Sequence, residues 1–172
     1  MPTSSQDHTD AKSDQTTRNC PECGARIAGG RVGCEALFNE FRFQALSNPH
    51  VGAVHWLAFD TYCMQHIDTY CQSAKSYAAH LTRLCCGLEF GGNLDIYAAI
   101  PRWLDGTITL EKPAVLEKRG SMTFVDVWNT SSVEETIQRI HTWANHVWTA
   151  YASQHALAHE WIRLALSHKP AR

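Results

Sequence analysis

The sequence predicts a mainly α protein: a helical bundle with an N-terminal Cys-rich knuckle and a small β-hairpin. Three observations carry that expectation. Apolar residues recur at helical spacing over residues 34–46, 51–70, 73–90 and about 133–168. Capping and stopping residues separate these stretches. Three cysteines, Cys20, Cys23 and Cys34, crowd a turn-rich segment ahead of the first helix. So short a segment cannot build a core of its own.

Residues 1–18 are rich in Ser, Thr and Asp and carry almost no apolar surface, which predicts a disordered tail. Residues 19–172 are then expected to form a single helical domain that includes the knuckle over 19–34. In 34–46, Leu37, Phe38, Phe41 and Leu46 fall at near-helical spacing. "SNPH" at 47–50 stops that helix and caps the next. The stretch 51–70 reads as one long helix. Ser73 opens another, ended by Gly91-Gly92. "LDIYAAIPRWLDG" at 94–106 reads as short helix or turn. "TITL" at 107–110 and "SMTFVDVW" at 121–128 alternate in β fashion and predict the hairpin. Ser131-x-x-Glu134 or Ser132-x-x-Glu135 reads as a capping box. It precedes the last helical pattern, which fits one helix or two.

Composition excludes several classes. A chain of 172 residues, 44% hydrophobic and 19% charged, has the make-up of one globular domain. A net charge of -2 lacks the basic footprint of a nucleic-acid binder. No apolar run approaches about 18 residues, so no transmembrane helix is expected. The N-terminus has no apolar core for a secretory signal. The expected compartment is therefore the cytoplasm, where thiols stay reduced. The seven cysteines are then metal ligands, reactive thiols or core residues. Cys63, Cys71, Cys85 and Cys86 lie in helical patterns and read as core filler.

The knuckle reads as a zinc site. Thiolates are strong zinc ligands, and a Cys-x2-Cys turn presents two sulfurs to one ion. Pro21 and Gly24 suit a tight turn. Cys34 starts a helix, whose N-terminus favours a thiolate. The competing reading, a redox Cys-x-x-Cys pair, lacks the preceding strand that such a unit requires. A structural zinc needs a fourth ligand, and His50, His55, Cys63 and His66 are the candidates near in sequence. Cys34 opens a helix of roughly 18 Å. If the chain turns at Asn48-Pro49 and runs back antiparallel, it comes level with the knuckle after about ten to fifteen residues. That geometry selects His66.

Histidines supply a rival reading. His55, Phe59, Tyr62 and His66 fall within roughly 60° of one another on a helix, yet His55 and His66 stand roughly 16 Å apart along its axis. They cannot share an ion. His155-x3-His159 puts two imidazoles on one helical face, a spacing that can bind one ion; an aromatic helix with exposed histidines is the plainer explanation. His80 could face either stripe. In the rival reading His66 or His55 converges with His155 and His159 in a cleft. An open metal position there activates water, and Asp60, Tyr62, His155, His159 and Glu160 are the catalytic candidates. Lys75, Arg83 and Arg119 are either anion contacts or solvated charges.

The motifs together resemble a family of small, mostly bacterial proteins catalogued as a domain of unknown function. That family carries an N-terminal CPxCG, a later GC-x-A-L-F and an H-x4-D-x-Y-x2-Q-H helix. Here these are Cys20 to Gly24, residues 33–38, and His55, Asp60, Tyr62, Gln65 and His66. The resemblance implies that these positions belong to one family core, in the cytosol, and implies no activity. More loosely, a His-bearing bundle is similar to DinB/YfiT-like metal-dependent proteins, which set three His around a divalent ion. This chain adds a Cys knuckle that they do not need.

The expectation is a zinc-binding helical protein of unknown partner, with zinc mainly structural at Cys20, Cys23, Cys34 and His66. The alternative is a metal-dependent hydrolase or transferase using the His-rich cleft.

Overall fold

The computed structural model describes residues 16–128 and 130–168. Among them it holds nine helices and one two-stranded antiparallel sheet. Strand β1 (Thr17–Asn19) pairs with β2 (Arg26–Ala28), Arg18 standing opposite Ile27. The helices follow: α1 (Arg31–Ser47), α2 (Pro49–Gly52), α3 (His55–Gln65), α4 (Ile67–Tyr70), α5 (Ala74–Glu89), α6 (Leu94–Leu104), α7 (Phe124–Trp128), α8 (Val133–Ala150) and α9 (His155–Ser167). The tail expected over 1–18 lies outside the described residues as far as residue 15. Thr17 and Arg18 belong to β1.

Helix α3 is the centre of the bundle. Leu57, Ala58, Asp60, Thr61, Tyr62, Cys63, Met64 and Gln65 are all buried, and a helix buried on nearly every side sits inside a core. It packs on α5 and α8, while α5 also packs on α6 and α9. Helix α1 lies over this group through its own buried stripe, Cys34, Phe38, Phe41 and Ala45. Its contacts with α3 run in opposite senses along the two helices. Cys34 meets His66, Phe38 meets Tyr62, and Phe41 faces His55. The antiparallel return expected at Asn48-Pro49 is present, with the Asn48 side chain accepting from the His50 and Val51 backbone N–H groups.

Two expectations are corrected. The hairpin over 107–110 and 121–128 does not form; the sheet lies instead in the knuckle. Residues 124–128 are α7, whose buried side chains Phe124 and Val127 are three apart. The alternation in this stretch, Met122 with Phe124 and Val125 with Val127, is too short to exclude a single helical turn. Thr123 hydrogen-bonds the Asp126 carboxylate through both its N–H and its hydroxyl. The long helix expected over 51–70 is divided into α2, α3 and α4. The break at His66, with φ -118° and ψ 55°, carries no Gly or Pro to announce it. The last pattern resolves into two helices, α8 and α9, joined by a 3-10 turn at Ala152–Gln154.

Residues 107–123 have no regular structure and are tied down by side chains. Gln65 Nε2 donates to the carbonyls of Arg119 and Met122 at 3.0 and 2.9 Å. Its Oε1 accepts from the buried Trp143 indole at 2.9 Å. Gly33 is required where α1 meets β2: a Cβ there would lie 1.8 Å from the Ala28 carbonyl oxygen. No helix of the described residues is long and apolar enough to cross a membrane.

Replacing Gln65 with Ala leaves the Trp143 N–H and two carbonyls short of a partner. We expect a loss of at least about 2 kcal/mol, read as a lower midpoint in urea unfolding.

Candidate metal centre

The knuckle is a turn closed by its own backbone. Cys20 N–H donates to the Ala25 carbonyl at 2.7 Å, and Gly24 N–H to the Cys20 carbonyl at 2.9 Å. Gly24 has φ +80°, a conformation glycine adopts without steric cost. The turn sets Cys20 and Cys23 over the start of α1, where Cys34 faces inward. Cys20, Cys34 and His66 are buried, and Cys23 is half-buried.

These four side chains converge. Their donor atoms all lie within 4.8 Å of one another. Cys23 and Cys34 sulfurs are 3.7 Å apart, and His66 Nε2 stands 3.6 Å from Cys20 Sγ and 3.4 Å from Cys34 Sγ. Zinc–sulfur bonds of about 2.3 Å and zinc–nitrogen bonds of about 2.0–2.1 Å, tetrahedrally arranged, give edges of about 3.8 Å (S···S) and about 3.5 Å (S···N). All three distances match those edges.

His66 is oriented for this role. Its Nδ1–H donates to the Tyr62 carbonyl at 2.8 Å, which leaves the Nε2 lone pair facing the sulfurs. A ligating imidazole is usually held in this way by a partner on its other nitrogen. The Tyr62 ring lies flat on His66 at 3.8 Å, and Phe38 lies on the other face of Tyr62 at 3.9 Å. The Tyr62 hydroxyl donates to Cys34 Sγ at 3.6 Å. Burial first, then the neighbouring Cys34, keeps that phenol protonated.

The cluster holds protons unevenly. Hydrogen bonds from Cys23 and Cys34 hold the Cys20 thiol far below the usual thiol range, against its burial. The same contacts push Cys23 upward. Burial alone would lower His66, but its bonds to Cys20 and Cys34 raise it to about 9. Crowded sulfurs thus favour positive charge at their centre, from a proton or from a metal ion.

A clamp that sequence reasoning missed docks the knuckle on α3 and α4. Glu22 accepts from Asp68 N–H at 3.0 Å and from the Thr69 hydroxyl at 2.6 Å. Arg31 donates to that hydroxyl at 2.6 Å and lies 3.7 Å from the Glu22 carboxylate. Arg119 is neither an anion contact nor a solvated charge. Its guanidinium donates to the carbonyls of Leu116, Glu22 and Gln65. No local pattern marks Glu22, because the groups that donate hydrogen bonds to its carboxylate are more than 45 residues away in sequence. Lys75 donates to the Gly106 carbonyl, and Arg83 lines a cavity of about 560 Å³ with Trp56, Leu57, Tyr97 and His141.

The other candidate residues are dispersed. Tyr62 belongs to the cluster just described. Asp60 is fully buried on α3, and its Oδ1 accepts from His80 Nδ1 at 2.8 Å, while Oδ2 has no partner. Burial raises the Asp60 carboxyl above its usual range, and the His80 bond opposes that rise. His155 stacks on Trp148 at 3.8 Å and donates to its carbonyl. His159 pairs with Glu89, and Glu160 with Arg163. His55 packs among Phe41, Trp56 and Phe59. The structure therefore does not bring His66, His155 and His159 together. Cys63, Cys71, Cys85 and Cys86 are buried in the core, and Cys63 takes no part in the knuckle cluster.

A model for a family of unknown function (DUF5946) matches residues 18–152. No curated protein and no solved structure matches the chain. The matched span holds Cys20, Cys23, Cys34 and His66 together with the Asp60–His80 pair.

Replacing His80 with Ala leaves the buried Asp60 carboxyl with no partner on either oxygen. Removing one member of a buried pair costs about 3–5 kcal/mol, so chemical denaturation should show a marked loss, with His80→Gln losing less. The match over 18–152 is most of the chain, and with it the protein belongs to the DUF5946 family.

Proposed function

We propose that the protein is a zinc-binding helical module whose ion is structural, held by Cys20, Cys23, Cys34 and His66. One observation carries this reading: three donor-to-donor distances, 3.4, 3.6 and 3.7 Å, lie on the edges of one zinc tetrahedron. Four protein ligands with no open corner are the mark of a structural zinc rather than a catalytic one.

The donors come from three parts of the chain: the turn after β1, the first turn of α1 and the last residue of α3's cap. An ion bound there adds a further link between these elements, beside the contacts of Phe38 and Phe41 with α3. In a reduced compartment the thiols are available as ligands, and all seven cysteines are free. That supports the cytoplasm as the location. The binding free energy becomes folding free energy, as in other small metal-stabilised units.

Changing Cys20 to Ser should lower zinc content and melting temperature together, and His66→Ala should do the same. Elemental analysis and thermal melts on the full chain check this; full zinc with an unchanged melt in both variants overturns it. Ions and protons compete for the same lone pairs. Zinc should therefore be retained at neutral pH and released as pH falls, with the melting temperature dropping over the same interval.

A further inference from the structure

Outside the knuckle, the described residues hold a second convergence of ligand side chains. Cys85 and Glu89 are four apart on α5 and so share one helical face. His159 reaches them from α9. Sulfur, carboxylate oxygen and imidazole nitrogen all lie within 4.8 Å of one another. Cys85 is buried at the base. The Glu89 and His159 side chains are 33% and 46% exposed, so the group opens to solvent on the other side. Glu89 is also oriented from outside: the Trp148 indole N–H donates to its Oε1 at 2.8 Å. That leaves Oε2 turned to His159 Nε2, 2.5 Å away.

We propose that Cys85, Glu89 and His159 form a second, solvent-facing site for a divalent transition-metal ion. A thiolate, an imidazole and a carboxylate make a mixed donor set that suits zinc or cobalt better than magnesium or calcium, which take oxygen alone. Three protein donors leave a fourth position to water, the form of an open zinc site. Trp148 plays the part of the outer hydrogen-bond partner that orients a ligating carboxylate.

The present contact between Glu89 and His159 is a hydrogen bond. Two ligands of one tetrahedral ion stand about 3.3 Å apart. Ion entry therefore separates the pair by less than about 1 Å, and the ion replaces the proton they share. His159 can make that adjustment because nearly half of its side chain is in solvent. The site is independent of the knuckle, since the two groups share no residue.

The test is a cobalt titration of the full chain loaded with a single equivalent of zinc, enough for the knuckle alone, followed by absorption. The expected result is uptake of one further ion with a thiolate-to-cobalt charge-transfer band in the near ultraviolet. Cys85→Ser should remove that band. His159→Ala and Glu89→Gln, both at exposed positions, should weaken cobalt binding by at least about tenfold with the helical circular dichroism unchanged. Absence of the band in the parent chain, or equal affinity in His159→Ala, overturns the proposal. A chain that keeps its knuckle zinc but takes up no cobalt defeats this site alone. A chain that binds cobalt here but holds no zinc dependent on Cys20 defeats the knuckle reading alone.

Discussion

The His66 imidazole is the constraint on which the rest of this structure depends. Its ring is fixed from three directions. Nδ1–H is tied to the Tyr62 carbonyl, the ring face rests on Tyr62, and Nε2 faces the Cys20 and Cys34 sulfurs. An imidazole so held can present only one lone pair, in one direction. The chain accommodates it by leaving the helix at residue 66, between α3 and α4. The break is thus the backbone's share of the site.

Around it, polar groups do the joining that a small knuckle cannot do with apolar contacts. Glu22 reaches from the knuckle to the first turn of α4, and Arg119 donates to carbonyls of the knuckle, of α3 and of its own loop. Gln65, beside His66, ties the same loop to Trp143 of α8. A buried polar network is stable only when its members are satisfied, and these members satisfy one another across the chain. Among the described residues, two buried side-chain atoms are exceptions: Asp60 Oδ2, whose companion oxygen is bonded to His80, and His55 Nδ1.

Histidines that look alike in the sequence have different surroundings. His66 faces sulfurs, His80 a buried carboxylate, His155 an indole ring, and His159 an exposed glutamate. A single catalytic cleft would need three of these side chains in one place. The bundle instead spreads them over α3, α5 and α9, and it draws Glu89 rather than His155 to the side of His159.

The sequence by itself determined the helical class, the antiparallel return of α1 onto α3, and the Cys20, Cys23 and Cys34 knuckle with His66 level with it. These follow from local periods, from the Asn48-Pro49 stop and from a fixed rise per residue. Local rules also read residues 121–128 as a strand, because the brief alternations Met122/Phe124 and Val125/Val127 do not exclude a helix of one to two turns. Only the tertiary structure decided the break at His66, the pairing of Asp60 with His80, and the clamp of Glu22 and Arg119. In each case the partner lies 20 or more residues away. The energy that selects such a conformation comes from a contact formed only when distant segments pack, and no window of the sequence contains both sides of it.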